Sequence, residues 1–300
     1  MAPGNTPAPA PAPAPAPQPT DPAAAAAAIK KLHPRAYLAR FLAAGVRPDA
    51  RQPSHFRTLR ITPSAVSTAH GSALAHLGQT TVLCAIKAEV AVPALDKPDR
   101  GFLVVNLDLP PLCSGKHRPG PPAAEAQALA HQFAGYVESA PIVDLAKLCI
   151  AERSACWVLY ADLLCLNDDG NVLDAAVAAL VAALRSVRLP RAEYDDDDGA
   201  VRASTDATNR PITLPILRTP VACSFAVVDN HLLADPTADE AALASASVTV
   251  LVDADRSADS DPLLAVTKRG GTPLSKPQLA QCIALARNRA RAVSSAGLLA

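Results

Sequence analysis

Gly71-Ser72-Ala73-Leu74-Ala75-His76-Leu77-Gly78-Gln79-Thr80-Thr81-Val82-Leu83-Cys84-Ala85-Ile86-Lys87-Ala88-Glu89-Val90 is the stretch on which the fold turns. Two runs of β-forming residues, 72–77 and 80–90, meet at Gly78, and two such runs joined by a tight turn pair antiparallel. Segments 58–62, before Gly71, and 102–107, after Gly101, have the same character, so the region predicts an antiparallel meander. A Pro-rich loop over 110–122 leads into a helix over 123–138, with Leu129, Phe133 and Val137 on one face. A long strand follows from Cys156 to Leu166.

Asn167, Asp168, Asp169 and Gly170 make a turn. After it Leu173, Val177, Leu180, Val181 and Leu184 recur at helical spacing among alanines, which predicts a deeply buried helix over 172–187. The acidic run Asp195–Asp198 reads as a solvated loop. Beyond it the scheme repeats, with strands near 221–228, 231–234, 247–252 and 263–267 and a helix from Lys276 to about Val293. Strands that precede packed helices in blocks argue for an α+β architecture, divided here into halves 29–200 and 201–300. Ahead of them, residues 1–28 form a Pro/Ala-rich tail expected to be disordered, whose Ala23–Ala28 run leads into a helix over 29–44 ended by Gly45.

Half of the 300 residues are hydrophobic, enough for a large core, and the formal net charge is zero. No global positive field draws in nucleic acid, so any RNA contact must come from local basic loops. The seven cysteines form no CxxC pair and no zinc-like cluster and read as reduced core thiols. There is no signal-peptide layout and no apolar run of membrane-spanning length, which points to cytosol or nucleus and to no membrane partner.

Arg47-Pro48-Asp49-Ala50-Arg51, followed by Phe56 and Arg57, resembles the Arg-x-Asp-Gly-Arg opening of RNase PH-family domains. His70-Gly71-Ser72 and Leu77-Gly78-Gln79-Thr80-Thr81-Val82 resemble that family's Gly-Ser and Gly-x-Thr strands at the expected separation. Val105-Asn106-Leu107-Asp108-Leu109-Pro110-Pro111-Leu112-Cys113-Ser114 looks like the branch of the family found in the eukaryotic RNA exosome ring. Trp157–Tyr160, Asp169–Ala175, Pro220–Ala226 and Asp235-Pro236-Thr237 extend the likeness over roughly 35–295. The departures are Ala50 in place of the usual Gly and His70 in place of an acid; Ala50 is strained if its backbone needs a positive φ. The resemblance implies an RNase PH-like fold of two strand-rich halves with packed helices on a ribosomal protein S5 domain 2-like core.

Active members of that family degrade RNA by letting inorganic phosphate attack the terminal phosphodiester. This needs cationic and hydroxyl donors for the anion and carboxylates for a divalent metal. By resemblance, the phosphate motif falls on Gly170, Asn171, Val172 and Leu173, where Val172 and Leu173 donate nothing. The family's metal site pairs two acids six positions apart; Asp235 matches the first and Ala241 stands at the second, with Asp239 and Glu240 nearby but offset. On its own residues, Asp235 also reads as a turn residue ahead of Pro236, and Asp174 as a helix cap. The expectation is a catalytically silent homologue with no cofactor and no catalytic residue.

The resemblance further implies a hetero-hexameric ring with other RNase PH-like subunits, topped by S1/KH cap subunits. Such a ring threads single-stranded RNA toward a separate catalytic nuclease, in nucleus, nucleolus and cytoplasm. Lys116, His117 and Arg118, with Arg100, are the local positive charges suited to a phosphate backbone, and they read equally as a solvated loop. Two rival readings are an active phosphorolytic 3'-5' exoribonuclease, which lacks an anion ligand, and a stand-alone RNA-binding module, which lacks a basic or aromatic surface.

Overall fold

The structure is a computed structural model and describes residues 22–195, 198–203, 211–255 and 262–298. Helices α1 (Pro22–Leu32) and α2 (Pro34–Ala43) replace the single helix expected over 29–44. The break falls at His33, whose ψ of 62° reflects the crowding that a following proline imposes. Helix α1 also takes in residues 22–28, assigned above to a disordered tail, because an alanine run propagates a helix once one is nucleated. The rest of that tail, 1–21, lies outside the described residues.

The first half contributes β1 (Leu59–Pro63), β2 (Gly71–Leu77), β3 (Thr80–Ala91), β4 (Phe102–Asp108), α3 (Ala124–Ser139), β5 (Cys149–Ala151), β6 (Ala155–Asn167) and α4 (Val172–Ser186). The sheet order is β1-β2-β3-β6-β4, with β5 also on β6. Strands β1 to β3 form the expected meander, but β4 does not continue it. The 13-residue β6 lies between, antiparallel to β3 and parallel to β4. A parallel neighbour requires a crossover, and α3 supplies it, packing on β4 between the two strands in sequence.

Two small ladders join the halves: β7 (Arg188–Leu189) with β10 (Ile212–Thr213), and β8 (Ala192–Asp195) with β9 (Ala200–Ala203). The acidic run expected as a loop therefore begins inside a strand. Arg202 binds both Asp195, at 2.7 Å, and Asp198, while Asp196 and Asp197 lie outside the described residues. The second half holds β11 (Pro220–Val228), β12 (His231–Ala234), α5 (Ala238–Leu243), β13 (Ala246–Asp253), β14 (Leu263–Gly270) and α6 (Lys276–Ser295). Its sheet runs β12-β11-β13-β14, all antiparallel.

Helix α4 is the shared core. Thirteen successive residues, Val172–Leu184, are buried, with β1, β2, β3 and β6 against one side and β11 against another. Alanines at 175, 176, 178, 179, 182 and 183 let the sheets approach closely. At Gly71 the approach is closest, since a Cβ there would meet Val187 Cγ2 at 2.6 Å and the Ala183 carbonyl at 2.7 Å. All seven cysteines are free, and burial raises the Cys282 thiol to about 11. Among the described residues no helix is long and apolar enough to cross a membrane.

Candidate functional site: a groove at the start of α4

The Arg47–Arg57 segment folds onto the turn between β12 and α5. Arg47, with no exposed surface, donates to Glu240 through Nε at 2.9 Å and through Nη2, and caps the Ala234 carbonyl at 2.6 Å. Arg57 donates to Asp235 through its backbone N–H at 2.8 Å, Nε at 2.9 Å and Nη2 at 2.8 Å, and to the Gly170 carbonyl at 3.1 Å. Arg51 adds a longer bond to Asp235 at 3.4 Å. Residues 47–57 thus pin the second half's 234–240 turn to the start of α4. This holds the site's walls together.

Asp235 is the turn residue ahead of Pro236 that the sequence suggests, between β12 and α5, and its carboxylate is turned inward. It is fully buried and held by Arg57, Arg51 and the Asn171 amide, which donates at 2.7 Å. Burial alone would raise its carboxyl, but the hydrogen bonds and charge of Arg57, helped by Asn171, hold it below the ordinary carboxylate range. Asp174 does not cap its own helix. It reaches across to the second sheet, accepting from Ser224 N–H at 2.9 Å, Ser224 Oγ at 2.8 Å and Asn171 Nδ2 at 2.7 Å. Burial raises it to about 6, and these hydrogen bonds offset the shift only in part.

Above this network lies a groove of about 530 Å³. Its walls are the 170–173 turn, Ala238, Ala241 and Ala242 of α5, and Glu125, Leu129 and Gln132 of α3, with Lys116 and Arg269 at the edge. The expected phosphate positions Asn171, Val172 and Leu173 and the expected metal position Ala241 therefore face one space. Asp235 sits beneath it, behind Pro236. The offset acids point elsewhere: Glu240 is spent on Arg47, and Asp239 pairs with Lys30 at 2.6 Å on the far side of α5. The first-turn amides of α4 leave a partial positive charge here, but no hydroxyl or cation accompanies it from 172 or 173.

The four basic positions part company. Lys116 lines the groove and is exposed, and Arg118 is exposed without lining it. His117 turns inward, its side chain only 10% exposed and its Nε2 3.9 Å from Asp168 Oδ2, so it is not a surface contact. Arg100 precedes β4 while the Lys116 loop follows it, which separates them by the strand's length of roughly 23 Å. Sequence reasoning missed Arg269 and Glu125. Strand alternation in β14 was the one available signal, and it does not say which face meets α3.

Residues 55–190 match the family described as 3' exoribonuclease family, domain 1, and residues 218–289 match its domain 2. The chain belongs to the RNase PH family. Within that family it is 40% identical over 261 residues to the exosome complex component rrp43 of Schizosaccharomyces pombe, an alignment covering 87% of this chain and 93% of that one. It is 32% identical to the exosome complex component Rrp42 of Archaeoglobus fulgidus, covering 86% and 93%. A solved Archaeoglobus fulgidus exosome with RNA bound to the active site superposes with a TM-score of 0.75 at 32% identity, over 87% of this chain and 96% of that chain. The RNase PH fold read from the sequence is the fold observed.

Proposed function

We propose that this chain is a non-catalytic structural subunit of an RNA exosome ring, supporting 3'-to-5' RNA processing and degradation as scaffold and channel wall. One observation carries the reading: Val172, Leu173 and Ala241, the positions that the resemblance assigns to phosphate donors and a metal carboxylate, line one groove, while Asp235 is already neutralised by Arg57. A divalent ion would have to displace a buried guanidinium to reach it. The RNase PH membership and the likeness to exosome components support the ring placement.

In this reading the partners are other RNase PH-like subunits in a hetero-hexamer, S1/KH cap subunits, single-stranded RNA and a separate nuclease. The setting is nucleus, nucleolus and cytoplasm. Of the basic residues, Lys116 and Arg118 are exposed on the loop after β4, and the RNA contact is assigned to them in this reading. The test is assembly: co-expressed with RNase PH-like exosome subunits, the chain enters a stoichiometric ring detected by native mass spectrometry. A stable monomer that ignores those subunits contradicts the reading.

A further inference from the structure

Of the seven free thiols, six are buried, and Cys149, at the start of β5, is partly exposed. In the antiparallel ladder of β5 with β6, Cys149 stands opposite Cys156, which has no exposed surface. Partners in such a ladder hold their Cα atoms about 4.5–5.5 Å apart with both side chains on one face, within the roughly 4.4–6.8 Å that a disulfide spans. The register shifts between Cys149 and Ala151, so the ladder is interrupted beside Cys149 and leaves that residue room to adjust. Cys113 and Cys165 make a second close pair, their thiols near enough to interact, but both are buried and an oxidant reaches neither first.

The exposed thiol stands in acidic surroundings. Burial, then the charges of Glu152 and Asp99, raise it above the ordinary cysteine value, so its thiolate is scarce at neutral pH and forms as pH rises. The same charges disfavour an anionic oxidant such as glutathione disulfide and leave a small neutral one. We infer that Cys149 and Cys156 are a redox-convertible pair, in which a peroxide oxidises Cys149 and Cys156 closes a disulfide between β5 and β6. The Cys149 thiolate attacks one peroxide oxygen and expels hydroxide, leaving a sulfenic acid. The Cys156 sulfur then attacks the sulfenic sulfur, forming the S–S bond and releasing water. In total the two thiols give up two protons and two electrons, and hydrogen peroxide becomes two waters. The bond closes the 149–156 hairpin, whose Arg153 N–H donates to the Pro98 carbonyl at 3.1 Å, in the loop that carries the exposed Leu95. Oxidation therefore stiffens the sheet end opposite to the groove, since Cys156 lies at the start of β6 and the groove adjoins the turn after it. The inference stands whether or not the ring reading does.

The experiment treats the reduced full chain with hydrogen peroxide, alkylates the remaining thiols after denaturation and maps the products by peptide mass spectrometry. Cys149 and Cys156 lose their free thiols together, in a product lighter by two hydrogen atoms, while the other five are alkylated. The rate rises about tenfold from pH 7 to pH 8, as a thiolate reaction requires. In Cys156→Ala the reaction stops at a Cys149 sulfenic acid that dimedone traps, and in Cys149→Ser Cys156 stays reduced. Hydrogen exchange of residues 149–156 slows in the oxidised chain and recovers on reduction with dithiothreitol. Thiols that all stay reduced in excess peroxide, a Cys113–Cys165 bond formed first, a sulfenic acid that persists at Cys149 in the parent chain, or equal rates with glutathione disulfide overturns the assignment.

Discussion

Ala50 holds a φ of 65° in the loop that presents Arg47, Arg51 and Arg57 to the second half. An L-residue with a Cβ pays about 1–2 kcal/mol for that conformation, and glycine's extra freedom when unfolded returns part of the difference. Ala50→Gly therefore stabilises the chain by about 0.5–1 kcal/mol in urea unfolding. Asp235→Asn acts in the other direction, removing the buried counter-charge of Arg57 and leaving it only the part-exposed Asp169, at a cost of about 3–5 kcal/mol in the same assay. Asp174 contributes a pH dependence of its own. Its folded value of about 6 lies above the ordinary 3.8, so between those pH values the folded chain keeps a proton that the unfolded chain has released. Its share of stability falls as pH rises through that window and is flat above it. Relative to wild type, Asp174→Asn gains on the order of 3 kcal/mol between pH 4 and pH 7, and a difference that stays flat with pH contradicts this account. At this scale the sequence reveals what is missing, since Val172, Leu173 and Ala241 can be read against a motif. It does not reveal the use of Asp235, whose partners Arg51 and Arg57 lie 184 and 178 positions away.

Between elements, the decisive contact is the turn before α4 against the turn before α5. Gly170, at φ 83°, has no room for a side chain: a Cβ would meet Ala238 N at 2.5 Å and the Thr237 carbonyl carbon at 2.6 Å. Gly170→Ala combines a left-handed backbone with a backbone clash and costs about 2–4 kcal/mol by thermal or urea unfolding. An unchanged melting temperature would show that the two turns do not depend on this approach. Periodicity was enough to place α3, α4, α6 and the long strands within a residue or two, because each carries a sustained apolar pattern. It could not place β4, since pairing order depends on which crossover is made and β4 alternates like its neighbours. Helix α5 was missed because six residues give no period, although Thr237 and Glu240 at cap spacing were a usable sign: the Thr237 N–H donates to Glu240 at 2.9 Å.

For the whole molecule, α4 and the Arg–Asp network make the two halves one body, and zero net charge gives that body no long-range pull on RNA. In the proposed reading the chain serves RNA metabolism by holding neighbours and lining a passage, with Lys116 as a proposed point of contact. The central claim is that its groove is chemically silent. The direct measurement is nucleoside diphosphate release from single-stranded RNA in phosphate and Mg²⁺, by the chain alone and by a ring assembled without its separate nuclease. The account predicts no release that depends on this subunit, with RNA still protected by the ring. Phosphate-dependent release that disappears when this subunit alone is altered at Asn171 or Lys116 would contradict it.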